Sequence, residues 1–181
     1  CTAAGKKHLE DITNRTLPCR VVKAGDKLDL GGRALEFIPA PLLHWADSLF
    51  TWDPADKTLF TCDFLGCHFC EPTMKDTGIH PVYRNAYEGE LRYYFDCIFG
   101  PFKPSVLAGL DKMPAEAELV CPSHGPVLTE QFFRVNLAPH EVAAAKDAIL
   151  AAIVLGFRRE EKETGDLDLG LVELQKKTGS P

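Results

Sequence analysis

The sequence predicts an α/β fold of mostly antiparallel strands with helices on the outside. Three observations carry this. Gly31-Gly32 separates two short apolar-rich runs, the pattern of a hairpin whose glycines supply positive φ. Two β-rich runs, Ser48 to Trp52 and Thr58 to Cys62, are joined by Asp53-Pro54-Ala55-Asp56-Lys57, a turn with Pro in its favoured early position. Farther on, apolar residues recur at helical spacing in two segments, Tyr87 to Phe99 and Pro104 to Met113.

Taken in order, Thr2 to Ile12 reads as a short helix. Cys19 to Ala24 reads as a strand, with apolar Val21 and Val22 bounded by turn residues. Leu28 and Leu30 alternate with Asp29 and pair, across Gly31-Gly32, with Ala34 to Ile38. The next two runs continue this hairpin into an antiparallel meander. Leu91, Tyr93, Tyr94, Phe95 and Ile98, mixed with charges, make Tyr87 to Phe99 amphipathic, and Val106, Leu107 and Leu110 do the same for Pro104 to Met113. Glu118 to Cys121 is a short strand, Pro139 to Glu161 the longest helix candidate, and Glu163 to Pro181 a loosely ordered tail.

Composition narrows the function. The 181 residues are 45% hydrophobic and 25% charged, the balance of a globular domain. A net charge of -6 without any basic block interleaved with aromatics argues against nucleic acid. The longest apolar segment, Ala148 to Phe157, is interrupted by Gly156 and falls well short of the roughly 20 residues a spanning helix needs, so no membrane span is expected. Seven cysteines, odd in number and mostly within apolar runs, point to packed thiols in a reducing, soluble compartment such as cytoplasm or an organelle stroma or matrix. The chain begins at Cys1 without a basic or apolar leader, so a targeting sequence is expected to be absent or to lie upstream. Phosphate-binding glycine loops and a serine nucleophile elbow are missing, which leaves the chemistry to His, Asp and Cys.

His44 follows an apolar run, Asp63 closes the run Leu59-Phe60-Thr61-Cys62, and His124 follows Pro122-Ser123 and precedes Gly125-Pro126. Two neutral imidazoles and one carboxylate suit zinc or non-haem iron and leave positions open for a small molecule. Any one of the three alone is more often packed or solvated than ligating; it is their joint placement at the ends of strands that makes His44, Asp63 and His124 the candidate metal ligands.

The runs Val22-Lys23-Ala24-Gly25-Asp26, Ala40-Pro41-Leu42-Leu43-His44-Trp45-Ala46-Asp47-Ser48, Leu59 to His68 and Pro122-Ser123-His124-Gly125-Pro126 resemble the metallo-β-lactamase superfamily, and more closely the diiron domain of flavodiiron proteins. Arg92-Tyr93-Tyr94 and Pro101-Phe102 extend the likeness into a helical segment. The resemblance implies an incomplete αββα sandwich over residues 1–130, followed by a helical extension and charged tail over 131–181. It implies that His44 and His124 each bind one iron of a diiron centre, that Asp63 bridges both, and that His68 stands behind them. The implied activity is reduction of dioxygen to water or of nitric oxide to nitrous oxide, with a flavin-containing electron donor and a homo-oligomeric assembly. Asp47 is expected either to fix an imidazole tautomer or to cap nearby backbone.

The resemblance also shows what is missing. The family's upstream His-x-Glu-x-Asp-His motif is absent, and its nearest imitation, His8-Leu9-Glu10-Asp11, is better read as a solvated helix face. No flavodoxin-like segment follows, so FMN is not expected in this chain. Zinc or incomplete occupancy is the alternative at the metal site, with zinc-dependent hydrolysis as its chemistry, and a catalytically dead interaction module is a third reading. Cys67-His68-Phe69-Cys70 lacks the second pair a zinc site wants and is read as packed or idle thiols. An incomplete sandwich should leave an apolar sheet face open, and with it a tendency to associate.

Overall fold

The computed structural model describes residues 1–129. The chain divides into two units, Cys1–Glu130 and Gln131–Pro181. The expected helix from Pro139 and the tail from Glu163 lie outside the described residues. Six strands, β1 (Lys27–Asp29), β2 (Ala34–Pro39), β3 (Leu49–Asp53), β4 (Thr58–Cys62), β5 (Leu119–Pro122) and β6 (Leu128–Thr129), form one sheet in sequence order. All neighbours are antiparallel except β4 and β5, which run parallel. A parallel pair needs a long crossover, and the segment between β4 and β5 supplies it with α2 (Arg84–Ile98) and α3 (Lys103–Leu110). The result is a mixed sheet with helices, part of an αββα arrangement.

The β1–β2 turn follows from its glycines: Gly31 and Gly32 have φ of 80° and 108°, and Leu30 N–H donates to Arg33 O at 2.8 Å, closing a two-residue loop. At the β3–β4 turn Asp53 accepts from Ala55 N–H, and the Arg33 guanidinium bridges Asp53 and Asp56 at 2.8 and 2.7 Å. The first helix, α1 (Ala3–Thr13), is capped by the Thr2 hydroxyl, which accepts from Gly5 N–H at 3.0 Å, and ends at Asn14 in the left-handed region. Cys19 to Ala24 do not form the expected strand. Val22 is buried and donates to Cys1 O, while Val21 is exposed and Asp26 folds back onto Lys23, so the segment has an apolar anchor but no ladder partner. The two-residue β6 was too short to read from pattern.

One face of the sheet builds the core. Trp52, Leu59, Val120 and Leu128 are cross-strand neighbours on that face and all are buried, as is Phe50 beside them. On α2, Tyr87, Leu91, Tyr94 and Phe95 recur at helical spacing and are buried, and α3 contributes Val106. Phe50 stacks on Phe64 at 5.7 Å, and Phe64 meets Phe99 edge-on at 5.5 Å. Each fully buried aromatic of this kind contributes about 1.5–3 kcal/mol. On the opposite face Phe37, Thr51, Phe60 and Cys121 stand in register, with Phe60 45% exposed.

Candidate metal centre

Strand direction brings the three candidate ligands together. The turn carrying His44 enters β3, Asp63 leaves the end of β4 and His124 follows the end of β5. Because β3 is antiparallel to β4 and β4 is parallel to β5, the start of β3 and the ends of β4 and β5 share one edge. There His44 Nε2 lies 3.2 Å from Asp63 Oδ2, and His124 Nε2 lies 3.2 Å from Asp63 Oδ1. The carboxylate is thus held between two imidazoles, one on each oxygen. Its side chain is 16% exposed, enough contact with solvent for a small ligand to approach.

The donor chemistry suits zinc or non-haem iron. Among the described residues, however, no group of three or more His, Cys, Asp or Glu side chains converges to hold a metal ion. Each side of the carboxylate offers one imidazole and one oxygen, too few to close either coordination sphere. The three side chains offer imidazole and carboxylate donors, but any ion held here would need further donors to complete its sphere.

Each of the two histidines has its own support. The His44 ring meets Phe99 edge-on at 5.9 Å, so the core aromatics wall its position. The His124 segment is tied to β4 by Ser123 N–H donating to Cys62 O at 2.6 Å, and to the loop after Asp63 by Cys67 N–H donating to His124 O at 3.3 Å. Two glycines permit this approach. A Cβ on Gly66 would stand 3.1 Å from both Asp63 O and His124 O, and one on Gly125, at φ +82°, would stand 2.7 Å from Cys67 Sγ. Burial pushes the Cys67 thiol up to about 11, so it packs as a neutral group; Cys70 is exposed, and both are free.

His68 packs edge-on against His124 at 5.3 Å and against Tyr94 at 4.9 Å. Tyr94 was legible only as an apolar helix position. Its phenol is pushed up to about 12, by burial first and then by the negative charge of Asp63. Asp47 fills neither expected role, since its carboxylate turns to α1, 3.5 Å from His8 Nδ1 and over Gly5. Of the upstream imitation, Glu10 accepts from Leu17 N–H and Asp11 pairs with Lys7. A cleft of about 740 Å³ runs between α1 and the ligand edge, lined by His8, Leu9, Trp45, Asp47, Cys62 and Asp63.

The chain is similar to known proteins. A family model described as ODP family beta lactamase matches residues 7–90. The flavo-diiron protein FprA2 of Clostridium acetobutylicum is 52% identical over 131 residues, 71% of this chain and 32% of that protein. Diflavin flavoprotein A 1 of Synechocystis is 37% identical over 130 residues, 70% of this chain and 22% of that protein. Among solved structures, the Flv1 flavodiiron core from Synechocystis superposes with a TM-score of 0.66 at 31% identity, over 83% of this chain and 36% of that one. The flavodiiron protein from Giardia intestinalis does so with a TM-score of 0.66 at 26% identity, over 87% and 34%. Fold and site edge together define a partial metallo-β-lactamase-like domain. The chain belongs with the flavodiiron proteins, as part of their diiron domain, and spans only a fifth to a third of the length of the curated relatives it matches.

Among the described residues no helix is long and apolar enough to cross a membrane.

Proposed function

We propose that this chain supplies one part of a diiron centre, with His44 holding one iron, His124 the other and Asp63 bridging both. In the whole protein that centre reduces dioxygen to water or nitric oxide to nitrous oxide, with electrons from a flavin-containing donor. The observation that carries the reading is the Asp63 carboxylate with an imidazole nitrogen 3.2 Å from each oxygen. Bound iron supplies redox chemistry and an open position for a diatomic ligand. Around it Phe99 fixes one wall, the cleft beside Asp63 admits small molecules, and the Tyr94 phenol keeps its proton at neutral pH. The similarity to flavo-diiron proteins supports iron, and the small donor set supports a centre completed by residues from elsewhere.

The test is metal content per chain for protein grown with iron and zinc available, comparing the native sequence with His44→Ala, Asp63→Asn and His124→Ala. Iron retained by the native chain and lost in all three variants is the expected result. Stoichiometric zinc with esterase turnover would replace the reading with a hydrolase, and a metal-free native chain with an interaction module.

A further inference from the structure

We propose that Ser48 is the positioning residue for His44: a hydroxyl strap that joins the two peptide groups flanking the imidazole-bearing residue. Ser48 Oγ donates to Leu43 O at 2.6 Å and accepts from Trp45 N–H at 3.2 Å. The serine is 5% exposed, so water does not compete effectively for either partner. A serine hydroxyl can do both at once because it carries one proton and two lone pairs.

The strap matters because the two sides of His44 differ in anchorage. On one side Leu43 is buried, with its side chain against Gly109 of α3. On the other side Trp45 is 59% exposed and its ring turns toward solvent beside the His44 imidazole. Backbone bonds from Leu42 N–H and Ser48 N–H to Trp45 O close the turn but touch neither peptide group on the Leu43 side of His44. The hydroxyl adds the tie between Trp45 N–H and the carbonyl of core-anchored Leu43, and so fixes where His44 Nε2 meets Asp63. His124 has a separate support, through Cys62 and Cys67, and should not sense the strap.

The inference rests on the metal reading of His44, so its primary readout is taken without metal. Histidine-labelled protein gives ring NMR signals, with those of His44 and His124 identified by their disappearance in His44→Asn and His124→Asn. Ser48→Ala and Ser48→Cys, the latter keeping the volume with a much weaker donor and acceptor, should displace the His44 signal and leave His124 in place. Ser48→Thr, which keeps the hydroxyl, should restore it. Zinc titration of the same proteins should show affinity falling about 10–100-fold in the Ala and Cys variants. Should Ser48→Ala not fold, Ser48→Cys decides. An unmoved His44 signal in Ala and Cys overturns the proposal, as do equal displacements of His44 and His124 or a Thr signal displaced as far as Ala. A displaced His44 signal in a chain that takes up no zinc supports the strap and removes the metal reading instead.

Discussion

Among the described residues, Gly125→Ala should cost more than any other substitution at a positive-φ glycine. At φ +82° an added Cβ meets the left-handed penalty, about 1–2 kcal/mol. It would also stand 2.7 Å from Cys67 Sγ and 2.9 Å from Cys67 O, distances real Cβ atoms do not show. Overpacking of that kind costs about 1–3 kcal/mol. The sum, about 2–5 kcal/mol, is a large share of the net stability of about 5–15 kcal/mol typical of a domain. Gly31→Ala is the internal control, because φ there is +80° and nothing lies within 4 Å of the added carbon. It should lose about 1–2 kcal/mol, from conformation alone. Urea unfolding of both variants measures the difference. Adding Cys67→Ala to Gly125→Ala removes the sulfur contact but not the carbonyl, so it should recover part of the loss, a coupling above about 0.5 kcal/mol. Equal losses in Gly125→Ala and Gly31→Ala would refute the idea that the loops after Asp63 and around His124 are packed too closely for a side chain.

Other perturbations probe the surroundings. The Tyr87 hydroxyl is buried without a hydrogen-bond partner, so Tyr87→Phe should raise stability by about 1 kcal/mol in thermal or urea unfolding, since an orphaned buried hydroxyl costs about 1–3 kcal/mol. Burial raises the Tyr87 pKa, so the stability tied to its proton is full below the ordinary phenol value of about 10 and is lost as pH climbs above it. Tyr87→Phe should flatten that alkaline limb, leaving the part due to Cys67, Tyr94, Tyr93 and Cys121, which are also raised. Asp76 is buried and accepts from Thr77 N–H and Thr129 N–H at 2.8 and 3.2 Å, holding β6 beside the His124 loop; Asp76→Ala should cost about 2–4 kcal/mol of unfolding free energy in urea, and Asp76→Asn less, because one acceptor oxygen survives. Phe60→Glu, on the open sheet face, should reduce self-association in sedimentation runs while changing stability by no more than about 1 kcal/mol; unchanged association would show that this face is not what brings copies together.

Much of this was legible before any coordinates. Gly31-Gly32 between alternating runs specified the hairpin, because only glycine occupies two successive positive-φ positions without strain. The amphipathic spacing within Tyr87 to Phe99 specified α2, and of the apolar positions read there Leu91, Tyr94 and Phe95 are buried whereas Tyr93 is exposed. The candidate ligands stood out because each is a metal-binding residue type at the end of an apolar run, and the sequence around them carried the likeness to flavodiiron proteins. Cys19 to Ala24 misled because apolar Val21 and Val22 match a strand pattern, whereas a strand exists only where a partner offers its ladder.

What the tertiary structure alone decided is relative placement. The parallel pairing of β4 with β5 puts Asp63 and His124 at the same edge, and no local pattern encodes the direction of a strand that returns after a long crossover. Asp47 turned to α1 and its His8 rather than to His44 or His124 because Gly5 leaves room above the first helical turn, a fact of packing between segments far apart in sequence. Ser48 looked like any small polar residue after a turn; its hydroxyl acquired two partners only when the chain folded back around His44. Local propensity and residue chemistry are written in the sequence, while hydrogen bonds and close approaches between distant segments are set by the sum of all contacts in the fold.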